Sequence, residues 1–180
     1  MGTVAARLQL PGASVAEAQA LWLDLARWPG FVDGFGTLAR REGEWPQAGA
    51  RIVWDSLRNG RGRVVELVTD FEPGVTHLVR VEDPRLRGTQ RTRFASYDGG
   101  CEISLELDYA LKQPGAGGRL TDILFVRRAI GDALRRTLRR FAVELEADRA
   151  IHAESARSSE QARWAARSPR SSPPPASRWC

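Results

Sequence analysis

The sequence contains few of the residues that usually build disulfides, metal sites or catalytic centres. It has two cysteines, Cys101 and Cys180, two histidines and one lysine among 180 residues. Two distant cysteines make no disulfide framework and cannot by themselves complete a zinc site. No apolar run approaches the ~20 residues of a membrane-spanning helix. The N-terminus lacks a basic segment followed by an apolar one, so we expect no secretory signal and a cytoplasmic location.

Motifs of common catalytic sites are also missing. The sequence has no Gly-x-Ser-x-Gly, no His-x-x-x-His and no Cys-x-x-Cys. This disfavours a serine hydrolase of the elbow type and a metal site. Gly115-Ala-Gly-Gly lacks the Gly-Lys-Ser/Thr end of a phosphate-binding loop, so we interpret it as a hinge before a helix. We therefore predict neither a metal nor a cofactor.

The positive charge is concentrated near the C-terminus and on one helix. The net charge is +5, and the residues from Ala150 onward carry five arginines and two glutamates. The remaining chain is almost neutral, which gives no electrostatic footprint for nucleic acid, and we expect no such partner. Arg127-Arg128, Arg135-Arg136 and Arg139-Arg140 spread around a helix and are interpreted as a solvated face.

The first forty residues predict a strand followed by two short helices. Thr3 to Leu10 alternates apolar and polar residues, as a half-buried strand does. Ser14-Val-Ala-Glu has the spacing of a capping box, with Glu17 at the third helical position. We place the second short helix at Phe31 to Phe35, after Trp28-Pro29-Gly30.

Six more strands are predicted between residues 36 and 111. Their separators, such as Asn59-Gly60 and Asp98-Gly99-Gly100, are short and have turn chemistry, which favours antiparallel pairing. The predicted strands are Thr37–Glu42, Arg51–Leu57, Gly62–Phe71, Thr76–Glu82, Gly88–Tyr97 and Cys101–Leu111.

A long amphipathic helix is predicted from Leu120 to Arg149. Its apolar positions include Leu124, Leu134, Leu138 and Phe141, spaced for one face. We therefore predict one α+β domain over residues 1–150, in which a curved antiparallel sheet of about seven strands grips this helix. Residues 151–180 are rich in Arg, Ser and Pro, and we predict a largely disordered tail that is dispensable for folding. The disorder is assigned to 168–177, whereas 151–167 are also compatible with a helix that has little to pack on.

This order of elements resembles the START-like polyketide cyclase/dehydrase and lipid-transport superfamily, also called SRPBCC. The resemblance covers residues 1–149. The stretches that carry it are Ser14-Val-Ala-Glu with Leu21-Trp22-Leu23-Asp24, Gly60-Arg-Gly-Arg-Val-Val-Glu, Arg87-Gly-Thr-Gln, Glu102-Ile-Ser-Leu-Glu-Leu-Asp-Tyr and Gly118-Arg-Leu-Thr-Asp.

The resemblance implies an internal, largely apolar pocket between the sheet and the long helix. We expect it to bind a hydrophobic or amphipathic small molecule, such as a lipid or a polyketide-like metabolite. One alternative is a cyclase/dehydrase-like enzyme that uses His77 or Tyr109 for proton transfer. A second alternative is an interaction module with a vestigial cavity. The oligomeric state is left open.

The candidate pocket residues follow from the alternation of the strands. His77 shares a face with Val79, and Phe94 brings Gln90 and Thr92 inward with it. The full prediction for the pocket is Trp54, His77, Val79, Gln90, Thr92, Phe94, Leu105, Leu107, Tyr109 and Leu124. A lone histidine without a carboxylate partner is a weak general base, so binding is favoured over catalysis.

Overall fold

The fold is a seven-stranded antiparallel sheet with two short helices after its first strand and a long C-terminal helix. The computed structural model describes residues 1–58, 60–112 and 119–167. The elements are β1 (Gly2–Pro11), α1 (Val15–Leu23), α2 (Trp28–Phe31), β2 (Phe35–Glu42), β3 (Arg51–Ser56), β4 (Arg63–Glu72), β5 (Thr76–Glu82), β6 (Leu86–Tyr97), β7 (Gly100–Leu111) and α3 (Arg119–Arg167).

The sheet runs in the order β1-β7-β6-β5-β4-β3-β2. Strands β2 to β7 form a meander in which each strand pairs with the next, and β1 closes onto β7. Every pairing is antiparallel, as the short turns predict. Predicted and observed strand ends differ by at most two residues, so the alternation of the sequence defines this sheet well.

The two short helices are fixed by local chemistry. Ser14 caps α1: its Oγ accepts a hydrogen bond from the Glu17 amide at 3.2 Å, and its own amide donates to the Glu17 carboxylate at 2.7 Å. The predicted capping box is therefore confirmed. The second helix was predicted at 31–35, which is wrong, because α2 spans Trp28–Phe31. Pro29 does not break it, since a proline in the first turn has no intrahelical partner to lose.

One side of the sheet, here called the inner face, joins the core with the helices. Most buried apolar side chains of this face pack in one cluster with Trp22 of α1, Phe31 of α2 and Phe141 of α3, while Val68 and Val79 form a second cluster with Ala50. Phe141 is fully buried, and its ring meets the edges of Trp22 and Phe31 at 5.7 and 5.2 Å between centroids. The α3 positions that line this core are Leu134, Leu138, Phe141 and Leu145.

Polar contacts hold α3 against the segment that follows α1. The Arg136 guanidinium donates two hydrogen bonds to the Asp33 carboxylate, at 3.0 and 2.8 Å. The Asp33 amide donates to the Thr137 hydroxyl at 3.0 Å, and Arg27 pairs with Glu144 at 2.5 Å. Two of the helix arginines, Arg136 and Arg140, therefore pair with Asp33 outside their own helix, beyond the solvated role predicted for them.

One prediction about α3 is wrong. Leu124 is 62 % exposed, so it does not belong to the buried apolar face of α3. Residues 151–167, which the sequence left open as a helix, continue α3 to Arg167. Their composition explains this, because Ala, Arg, Glu and Gln are good helix formers that need no apolar partner to adopt the conformation. The prediction for residues 168–180 lies outside the described residues.

The chain divides into two compact units, Met1–Leu145 and Glu146–Cys180. The first contains the sheet, α1, α2 and the part of α3 that packs on the inner face. The described part of the second is helical, with His152 Nδ1 lying 2.7 Å from the carbonyl oxygen of Asp148 one turn earlier. Within the described residues, no helix is both long and apolar enough to cross a membrane.

Candidate functional site

The structure brings nine of the ten predicted pocket residues together on the inner face. Eight of them are buried and Gln90 is half-buried, whereas Leu124 lies outside this group. Two rows cross the sheet in register: His77, Thr92 and Leu105 form one, and Val79, Gln90 and Leu107 form the next. The remaining members are Trp54, Phe94 and Tyr109. The inner face is therefore apolar with isolated polar positions.

His77 lies in an aromatic cage. It is 3 % exposed, and its ring meets Trp45 at 5.0 Å and Phe71 at 6.0 Å between centroids, both nearly perpendicular. Its Nε2 atom is buried and has no hydrogen-bond partner among the described residues. Burial lowers the pKa of His77 from 6.5 to about 4, because removal from water disfavours the charged imidazolium. The ring is therefore neutral at physiological pH.

This burial predicts a specific loss of stability in acid. Between pH 6.5 and 4 the unfolded chain protonates His77 while the folded chain does not, so stability is full above pH 6.5 and falls below it. For the lowered pKa of about 4, the loss is ~3 kcal/mol. Urea unfolding of wild type and His77→Leu across this pH range should show that only the wild type carries this component.

The second histidine provides a matched control for this measurement. His152 is exposed on the helix of the second unit, so His152→Leu should leave the acid-dependent loss of wild type intact. If His77→Leu lost stability with falling pH as steeply as wild type, burial of the imidazole would not be its cause.

Tyr109 is held against the first strand. Gly2 is its register partner on β1, and a Cβ added there would lie 2.9 Å from the Tyr109 ring and hydroxyl. The ring therefore leans over Gly2, toward the edge of the sheet. Its hydroxyl oxygen is buried without a hydrogen-bond partner among the described residues. A buried hydroxyl of this kind lowers the stability of the fold unless it forms a hydrogen bond with a polar group of another molecule.

A buried carboxyl group, Glu66, was not predicted from the sequence. It lies on the inner face between Ile52 of β3 and Val81 of β5, and it accepts a hydrogen bond from the Trp54 indole at 3.0 Å. Burial raises the pKa of Glu66, and the Trp54 bond and the charge of Arg61 oppose that rise. The signal was present, because Val64, Glu66 and Val68 alternate on one face.

Trp45 was also missed as a residue of this site. It precedes Pro46 outside any strand or helix, so no periodicity marks it. Its indole donates to the Leu23 carbonyl at 2.8 Å, and its ring touches both His77 and Trp28. It also lines a surface cleft of about 510 Å³ between β2 and the α1–α2 segment. Trp45 thus separates this cleft from His77.

Comparison with known families identifies the family of this chain. A family model described as polyketide cyclase/dehydrase and lipid transport matches residues 1–146. The chain belongs to this family. No curated protein sequence matches the chain. The match covers the sheet and the packed part of α3, so the family assignment refers to the unit that contains the inner face.

Several solved structures share the fold of this protein at low sequence identity. A START superfamily protein from Mycobacterium smegmatis has a TM-score of 0.63 and 13% identity, over 80% of this chain and 97% of that one. The di-domain aromatase/cyclase StfQ of the steffimycin biosynthetic pathway has a TM-score of 0.62 and 18% identity, over 82% of this chain and 52% of that one. A Thermus thermophilus protein has a TM-score of 0.60 and 21% identity, over 82% of this chain and 99% of that one.

The polar groups of the inner face of this family member are widely separated. Glu66 and Tyr109 stand in one register row with Val81 and Gly88 between them, which places their Cα atoms about 14 Å apart. His77 is four residues along β5 from Val81, or about 13 Å. The side chains also lean apart, toward Trp54, Gly2 and Trp45 respectively. No two of these three groups are placed to act on one reacting atom.

Metal chemistry has no support in the described part of the chain. No group of three or more His, Cys, Asp or Glu side chains is arranged there to hold an ion. The arrangement offers single hydrogen bonds at separate points of an apolar surface, which is the chemistry of a binding site for a largely apolar molecule.

Proposed function

We propose that this protein binds a hydrophobic or amphipathic small molecule between the inner face of its sheet and α3. The observation that carries the proposal is the pair of buried polar atoms, His77 Nε2 and Tyr109 Oη, that lack partners among the described residues of an otherwise apolar face. Native proteins rarely leave such atoms unpaired, because each costs about 1–3 kcal/mol. A ligand with one or two polar groups would satisfy them.

The family supports this proposal, since its description includes lipid transport as well as polyketide cyclisation. Membership does not choose between them. The geometry favours binding, because general acid–base catalysis needs two groups near one reacting atom or one group oriented by another. Here no described residue forms a hydrogen bond with His77 Nε2, and Glu66, although on the neighbouring strand, lies opposite Val81 rather than opposite His77.

A direct test is mass spectrometry of the intact, natively purified full chain. We expect a bound apolar molecule to copurify with the protein and to be released on denaturation. In parallel, a panel of long-chain alcohols, fatty acids, phospholipids and aromatic polyketides is titrated against the intrinsic tryptophan fluorescence, with Trp54→Phe separating the signal of Trp54 from the other five. No bound molecule, and no response to any member of the panel, would contradict the proposal.

The second candidate is a cyclase-like enzyme, which the similarity in fold to the aromatase/cyclase StfQ favours. It requires that His77→Leu or Tyr109→Phe abolish turnover of an aromatic polyketide precursor while its binding persists. The binding proposal expects no turnover by wild type and weaker binding by both variants, because each substitution removes a buried polar atom with which the ligand is proposed to pair. Product analysis by liquid chromatography separates the two outcomes.

A further inference from the structure

The buried carboxyl of Glu66 is unusual for its surroundings. It is 7 % exposed, and its register partners Ile52 and Val81 are apolar and buried. Two neighbours on its own strand, Val64 and Val68, are also buried. Burying a carboxyl group in apolar surroundings destabilises the fold unless its oxygens form hydrogen bonds.

Only one of the two Glu66 carboxylate oxygens accepts a hydrogen bond within the described structure. Oε1 accepts the Trp54 indole N–H at 3.0 Å, and no described residue donates to Oε2. The Trp54 bond fixes the orientation of the carboxyl group, because the indole is itself buried among Phe35 and other core rings. Oε2 is therefore held in place while free to meet a group of another molecule.

The charges around Glu66 are balanced. Arg61 lies close enough to oppose the rise in the pKa of Glu66, but its Nε donates to the Asp83 carboxylate at 2.7 Å. Asp83 is buried and also accepts the amides of Arg85 and Leu86, at 2.7 and 2.8 Å. The positive charge of Arg61 is thus already matched by Asp83. A ligand carboxylate would bring another negative charge beside Asp83 and Glu66 with no unmatched cation to receive it.

Binding an uncharged hydroxyl at this site causes no such electrostatic repulsion. It donates to a carboxylate oxygen and also accepts from a protonated carboxyl, so it pairs with Glu66 in either state. The Nη2 atom of Arg61 is buried without a partner among the described residues and is a second donor at this end of the sheet. The site is therefore suited to a neutral oxygen and unsuited to an anion.

We propose that Glu66 recognises the polar end of the bound molecule and selects an uncharged, hydroxyl-bearing amphiphile over a carboxylate of the same length. This inference rests on the proposed binding function. Glu66 supplies the hydrogen bond and Trp54 holds it in position, while the Arg61–Asp83 pair keeps the surroundings neutral.

The test compares 1-decanol with decanoate at pH 8, where decanoate is ionised. Affinities for the full chain are measured by displacement of an uncharged fluorescent apolar probe. We expect wild type to bind decanol at least tenfold more tightly than decanoate. Glu66→Leu should lose about tenfold in decanol affinity and with it the preference. Glu66→Gln should still bind decanol but lose much of the preference, because its amide carries no negative charge and donates an N–H bond to a carboxylate.

Glu106→Leu is the matched control. Glu106 lies on the opposite face of the sheet, where it pairs with Arg91, so its replacement should not alter the preference. Equal binding of both ligands to wild type, or a preference that survives in Glu66→Leu, would overturn this inference and leave the binding function standing. Failure of either ligand to bind wild type, together with an empty protein in mass spectrometry, would overturn both. If Glu66→Leu does not fold, a preference that persists undiminished in Glu66→Gln, measured on the folded variant, still decides against the inference.

Discussion

Phe141→Ala is expected to destabilise the fold by about 3–5 kcal/mol, the usual cost of emptying a fully buried phenylalanine site. Phe141 is fully buried where α3 meets the aromatic rings of Trp22 and Phe31. Its loss removes apolar contacts and the edge-to-face packing with both rings. Chemical unfolding followed by far-UV circular dichroism measures the change in the free energy of unfolding.

Val143→Ala is the control for this prediction. Val143 lies two residues further along the same helix but is 65 % exposed, so its truncation should change stability by less than about 0.5 kcal/mol. Equal effects of the two substitutions would mean that helix propensity, rather than the packing of α3 on α1 and α2, sets the stability.

The sheet was predictable because its information is local. Alternation of apolar and polar residues assigns faces, and turns such as Asp98-Gly99 define the pairing of neighbouring strands. The same alternation placed His77, Thr92 and Phe94 on the inner face. The capping box at Ser14 was predictable for the same reason, since its two reciprocal hydrogen bonds span three residues.

The missed residues depend on contacts that no local pattern encodes. Glu66 was overlooked because charged residues are rarely buried, although its spacing from Val64 and Val68 placed it inside. Trp45 belongs to no periodic segment, and only the folded chain shows it against His77 and Trp28. Leu124 shows the opposite error: it has the spacing of a buried position, but the core contact of α3 lies further along the helix, at residues such as Leu134.

The missed residues change the chemical interpretation of the site. With His77 and Tyr109 alone, binding was favoured over catalysis because a lone histidine is a weak general base. The structure adds Glu66, which lies apart from both and is oriented by Trp54 rather than by another titratable group. Three polar groups whose side chains point away from one another are better suited to contact one ligand at separate points than to act together in catalysis.

Filling the inner face should abolish binding without disturbing the sheet. Gln90 is half-buried at the centre of this face, next to Val79 and Leu107 in register. In Gln90→Phe a larger apolar ring occupies the space that the proposed ligand would use, so affinity for decanol or for the co-purified molecule should fall at least tenfold. The same apolar ring should leave the thermal midpoint unchanged or raise it, because it adds buried apolar area.

Thr89→Phe separates this effect from a general disturbance of β6. Thr89 is the preceding residue, also half-buried, and it points to the opposite face of the sheet. We expect Thr89→Phe to bind as wild type does, by the same titration. If the two variants bound equally well, the ligand would lie elsewhere than on the inner face. The cleft of about 510 Å³ beside Trp45 would then be the site to examine by the corresponding substitution at Thr37.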